Sequence, residues 1–144
     1  MLLYALFNVA FVIVSPIIGK LGDFIGRKKI IAMEYVLYFI MALGFVFATA
    51  KWEIILLFIL FGIFYAIDEG QSNAYISDLE KTKRGTAMGL YKFITGIIYL
   101  PASIIAGYLW SINSNYAFMF AAIVSIAALV FFLSKKTRSN PLPH

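Results

Sequence analysis

The chain contains no cysteine. Disulfides and thiolate metal sites are thereby excluded, and the redox compartment leaves no trace in the sequence. Its single histidine is the final residue, His144, so neither a histidine metal site nor a histidine-based catalytic dyad is available. No cofactor is expected. Charge is also scarce: 13% of the residues are charged, against about 25% in an ordinary soluble domain. No lysine or arginine precedes the first apolar stretch and no small-residue cleavage site stands before Lys20, so the N-terminus is read as a retained span, not a cleavable signal.

What fills the chain is apolar side chain: 62% of 144 residues, with a mean hydropathy of +0.90. A soluble domain of this length has no interior large enough for it, so lipid must be part of the solvent. The net charge of +5 would suggest nucleic acid in a soluble protein. Here the basic residues sit in short segments between apolar runs, so they read as topology signals and no nucleic-acid partner is expected.

The runs predict an all-α membrane protein with five transmembrane helices, at about 2–19, 30–50, 53–77, 86–110 and 116–133, and a polar tail over 135–144. Each apolar run approaches the ~20 residues a crossing needs. In the first, Asn8, Ser15 and Gly19 share a face expected to pack on protein, with Leu3, Phe7 and Phe11 toward lipid or neighbours. Pro16 is tolerated near its end. Glu34, one turn inside the second run, is read as reaching the headgroups. Lys51 to Glu53 reads as a tight connection, with Trp52 at the interface.

The third run is uncharged only from Ile54 to Ile67. Yet Gly62, Ala66, Gly70 and Ala74 recur every four residues, which predicts one continuous helix through Asp68 and Glu69. In the fourth run Gly85, Gly89, Gly96, Ser103 and Gly107 form a small-residue stripe, expected to be buried against another helix. The polar cluster from Ser111 to Asn115 divides the fourth run from the fifth. Tyr108, Trp110 and Tyr116 suit an outer interfacial belt.

Five crossings put Lys20, Arg27, Lys28, Lys29, Lys81, Lys83, Arg84, Lys135, Lys136 and Arg138 on one side and only Lys51 on the other. That bias predicts an outside N-terminus and a cytoplasmic C-terminus.

The segment from Gly19 to Lys29 joins two spans on the basic side. Its glycines permit a tight turn. Asp23 is placed to accept backbone donors at a neighbouring helix N-terminus, and Arg27 to Lys29 hold the loop in the cytosol. The bland reading is a basic turn that only sets topology. The order of residues, however, resembles the cytoplasmic signature loop of the major facilitator superfamily, matched by Gly19, Asp23, Gly26, Arg27 and Lys28. Phe24 departs from the pattern, since a basic residue usually follows the aspartate.

The series Glu69, Gly70, Asp78, Arg84 to Tyr91, Leu100 to Ser103 and Ala106 to Trp110 is similar to helices ten and eleven of a prokaryotic branch of that family. Asn8 and Pro16 are similar to its helix eight. The resemblance implies helices eight to twelve, a partial half-bundle, with helix seven and the N-terminal six absent.

Within the third run, Asp68 and Glu69 are the sharpest candidates, because a carboxylate in a span usually faces a cavity or a partner. Tyr65, Glu69, Ser72 and Asn73 share one face; Asp68, Gln71 and Tyr75 share the adjacent one. Glu69, Asp68 and Asn73 form a candidate proton or substrate site, with Glu69 favoured by the family pattern. The alternative is a structural pair held by Lys92 or Arg27. Lys92 is read first as snorkelling to the cytosol. Asp78 and Arg84, with Glu80, Lys83 and Arg27, suggest a cytoplasmic charge cluster, or else a solvated loop.

Two functions follow. One is a C-terminal fragment of a secondary transporter for a small solute, needing a missing N-terminal half for alternating access. The other is a small membrane interaction protein that associates with an intact transporter or another helix bundle. An enzyme is not expected: the intramembrane acids are adjacent, so their side chains diverge, and no metal set exists.

Overall fold

The computed structural model describes residues 2–134. They form helices α1 (Leu2–Ile25), α2 (Arg27–Phe47), α3 (Lys51–Ile67), a π-helical turn (Asp68–Ser72), α4 (Asn73–Leu79), α5 (Arg84–Ile112) and α6 (Ser114–Ser134), with no strand among the described residues. The π-turn joins α3 to α4 without a break, so the chain makes five helical rods. Helices α1, α2, α5 and α6 are each long and apolar enough to cross a membrane. With 17 residues, α3 reaches crossing length only together with the turn and α4. The tail expected over 135–144, with Lys135, Lys136 and Arg138, lies outside the described residues.

The helices overrun the expected loops. α1 runs to Ile25 and α2 starts at Arg27, so the basic loop contracts to Gly26, whose φ of 100° suits a residue without a Cβ. The expected connection at Lys51 to Glu53 is already helical. The Glu53 carboxylate accepts the N–H groups of Thr49 at 2.7 Å and Ala50 at 3.0 Å, covering donors that the start of α3 leaves open. Likewise Asn113 alone separates α5 from α6. Its side-chain oxygen accepts the Asn115 N–H at 2.9 Å, which starts α6.

The most extensive contacts are α2 on α6 and α1 on α3, with α2 also packed on α3. Ile18, Ile30 and Ile67 meet at the centre, flanked by Val14, Leu21, Leu37 and Ile63. The packing face of α1 is therefore Phe7, Phe11, Val14 and Ile18, at helical spacing, and not Asn8, Ser15 and Gly19. Phe7 and Phe11 each set their rings 5.6 Å from that of Tyr65. Asn8 turns back to the Tyr4 carbonyl of its own helix at 2.7 Å, and a Cβ at Gly19 would meet nothing within 4 Å.

Gly62 permits the α1–α3 approach: a Cβ there would stand 2.6 Å from the Phe7 carbonyl oxygen. The small stripe expected to continue from it stops at Ala66, because the π-turn swings Gly70 into the open. On the other side, Ser125 donates to the Tyr35 carbonyl at 2.7 Å, and Phe118 stacks on Phe45 at 4.9 Å.

Helix α5 differs. It touches α6 and, near its start, α4, and none of its residues is buried. A Cβ at Gly85, Gly89, Gly96 or Gly107 would meet nothing within 4 Å, and Ser103 is exposed. The burial expected for this stripe does not occur among the described residues, because α5 meets the bundle along one side only.

Candidate functional site

A π-turn widens the helix by one residue and is frequent at functional positions. At Asp68–Ser72 it fans polar side chains toward three neighbours. Asp68 meets Glu34 of α2. Gln71, 1% exposed, donates to the Ile18 carbonyl of α1 at 2.8 Å. Glu69 turns to α5, where the Lys92 ammonium donates to its two oxygens at 3.3 and 3.2 Å. Asn73 adds a bond to Glu69 at 2.8 Å. Three of the residues read as a site, Asp68, Glu69 and Asn73, thus stand together. The Lys92 ammonium, read first as a snorkelling cation, pairs with Glu69 while staying about half exposed.

Two cavities with ionisable side chains in their walls flank the turn. One, of about 350 Å³, lies between the turn and α5, with Tyr65, Asp68, Glu69, Tyr91, Lys92 and Tyr99 in its lining. The other, of about 290 Å³, reaches α2 and α6 and is lined in part by Glu34, Tyr35, Asp68, Tyr99 and Ser125. Asp68 lines both.

Glu34 is the residue that the sequence reading misplaced. It is 6% exposed and points to Asp68, not to headgroups. A signal was present: Ile30, Glu34, Leu37 and Met41 follow one helical stripe, and Ile30 and Met41 are core.

At one end of the bundle lie the signature residues. Gly19 and Asp23 belong to α1, Gly26 makes the turn, and Arg27 and Lys28 open α2. The Arg27 guanidinium reaches Asp23 at 3.0 Å and Asp78 at 2.6 Å. Asp23 therefore pairs with Arg27, in place of the backbone donors expected. The Lys28 ammonium lies over the Phe132 ring at 5.5 Å. A groove of about 730 Å³ there is lined by Asp23, Arg27, Asp78 and Leu133 among others, so the 20–29 segment, the start of the 78–84 segment and the end of α6 share one end.

Arg84 does not join the cluster: it is exposed and makes no ion pair among the described residues. The reason is local. Glu80 accepts the Thr82 hydroxyl and the N–H groups of Thr82 at 2.8 Å and Lys83 at 3.0 Å, a turn that leads α5 away from Arg27. Those bonds, the Thr82 side chain foremost, hold the Glu80 carboxyl below its ordinary value.

Comparison with known proteins identifies the family. The family model described as Major Facilitator Superfamily matches residues 1–144. An uncharacterized MFS-type transporter of Methanocaldococcus jannaschii is 42% identical over 125 residues, covering 86% of this chain and 31% of that protein. A D-xylose transporter of Levilactobacillus brevis is 29% identical over 126 residues, covering 81% of this chain and 26% of that protein. The chain thus spans between a quarter and a third of the length of these relatives. No solved structure matches significantly. With the family model matching from end to end, the chain belongs to the Major Facilitator Superfamily.

Proposed function

We propose that this chain supplies the C-terminal part of a secondary active transporter, forming one wall of the pathway for a small solute. The observation that carries the reading is the half-open Glu69–Lys92 pair in a cavity rimmed by Tyr65, Tyr91 and Tyr99. A charged pair within a membrane helix bundle is costly unless it lines a pathway or meets a partner. Its Lys92 belongs to α5, a helix with no buried residue among the described residues.

Alternating access needs a second, opposing set of helices. The length of the relatives supports an N-terminal half as that partner, docking on the open face of α5 at Gly85, Gly89, Gly96, Ser103 and Gly107. The signature loop and the Asp23–Arg27–Asp78 cluster lie on the cytoplasmic side in this reading, with the N-terminus outside and the tail over 135–144 cytoplasmic. The basic segments support that orientation.

Carboxylate, ammonium, hydroxyl and aromatic groups together suit a small hydroxylated solute, and the relative named a D-xylose transporter makes pentoses the first probes. The test is uptake of labelled pentoses and hexoses into vesicles. The chain is reconstituted alone or with the N-terminal half of the archaeal relative. Uptake is expected only with both parts, and Lys92→Met is expected to abolish it. Uptake by the chain alone, or indifference to Lys92→Met, would sink the reading.

A further inference from the structure

Glu34 of α2 and Asp68 of the π-turn line one cavity of about 290 Å³, with their carboxyl groups near enough to act on each other. Glu34 is 6% exposed, and its Oε2 is buried with no hydrogen-bond partner among the described residues. The groups around the pair can be named element by element. From α2 come Tyr35 and Tyr38, from α3 Tyr65, and from the π-turn Glu69; α5 brings Tyr91, Lys92 and Tyr99. α6 brings only Val124, Ser125 and Ala128, none of them titratable. Lys92 is the ammonium of this set, and Glu69 engages it with both oxygens. Lys92 also faces Asp68 across their shared cavity, but its ion pair goes to Glu69, so the Glu34–Asp68 pair has no salt bridge to a cation among the described residues.

Two carboxylates in contact inside an apolar bundle repel each other, and neither is well solvated. One proton removes the conflict: a neutral acid donates its O–H to the remaining carboxylate. The orphaned Oε2 fits the same arrangement. As the carbonyl oxygen of a neutral acid it loses far less by lacking a donor than a carboxylate oxygen would.

We infer that Glu34 and Asp68 form a proton-binding site, holding one exchangeable proton between them. Asp68 lines both cavities, so it connects the inner carboxyl to the space beside Glu69 and Lys92. Protonation joins α2 to the π-turn, and loss of the proton sets two like charges against each other at that contact. The site stands on this chain's own side chains; only its use in coupling solute movement to protons rests on the transport reading above.

Infrared spectroscopy of the full chain in lipid vesicles tests it. A carboxylic acid carbonyl band is expected at neutral pH, shifting in D₂O and vanishing in one step as the pH is raised. Glu34→Gln and Asp68→Asn are each expected to remove the band, whereas Glu69→Gln leaves it. No such band in the unaltered chain, or a band that survives either substitution, overturns the shared proton. Both substitutions are neutral and nearly isosteric. Circular dichroism checks that they fold, and the band of the unaltered chain and its D₂O shift decide the matter if either does not. Absent solute uptake with an intact band would sink the transport reading and leave the proton site standing.

Discussion

The two glycine-bearing rods α3 and α5 look alike in sequence and behave differently in the fold. Gly62 of α3 is buried, and its missing side chain lets α1 approach to contact. Gly96 of α5 faces open space, as do the other glycines of its stripe. A small-residue stripe therefore marks a surface able to accept a close neighbour, but not whether that neighbour belongs to the same chain. The packed region is a scaffold of α1, α2, α3 and α6, and the open region is a helix that the described residues leave uncovered.

The largest expected effect lies in the scaffold. Gly62→Leu forces atoms into the Phe7 carbonyl and Ala10, 2.6 and 2.8 Å from the first added carbon. Overpacking of this kind costs about 1–3 kcal/mol or more, read as a lowered unfolding midpoint in mixed micelles. Gln71→Ala comes next. It removes the buried bond to Ile18 but also an amide oxygen that has no partner among the described residues, so the net loss is expected to be about 1 kcal/mol by the same measurement.

Arg27→Ala breaks two exposed or half-exposed pairs at once and is expected to cost about 1 kcal/mol or less. Gly96→Ala, by contrast, is expected to be neutral or to stabilise α5 by under ~1 kcal/mol through helix propensity. If it instead destabilises the isolated chain as Gly62→Leu does, the contrast between the two helices fails.

The smallest effect is a pH dependence. The ordinary value for Glu80 is 4.5, and its folded value lies below that. Its contribution is therefore full above 4.5 and is lost as the pH falls through the folded value. Glu80→Gln is expected to flatten that part of the stability profile, measured by acid titration of helicity.

Helix number was legible because hydropathy is a strong local signal. The signature loop was legible by its order, but not its shape: all but Gly26 of the stretch from Gly19 to Lys29 is helical, since basic residues at a helix end need no loop to reach solvent. The π-turn was not legible. No proline forces it, and the period of Gly62, Ala66, Gly70 and Ala74 argues for an unbroken helix. Only tertiary contacts reveal that Gln71, and not Gly70, faces α1. Glu34 was misplaced because nearness to Lys29 suggested the interface, while its burial depends on α3 lying alongside.

The most direct measurement is co-purification of the tagged chain with the N-terminal half of the archaeal relative from shared membranes, with and without leucine at Gly96 and Gly107. The proposed arrangement predicts a stable complex that the α5 leucines disrupt while the chain by itself keeps its helicity. No complex, or a complex indifferent to leucine at both positions, would contradict it.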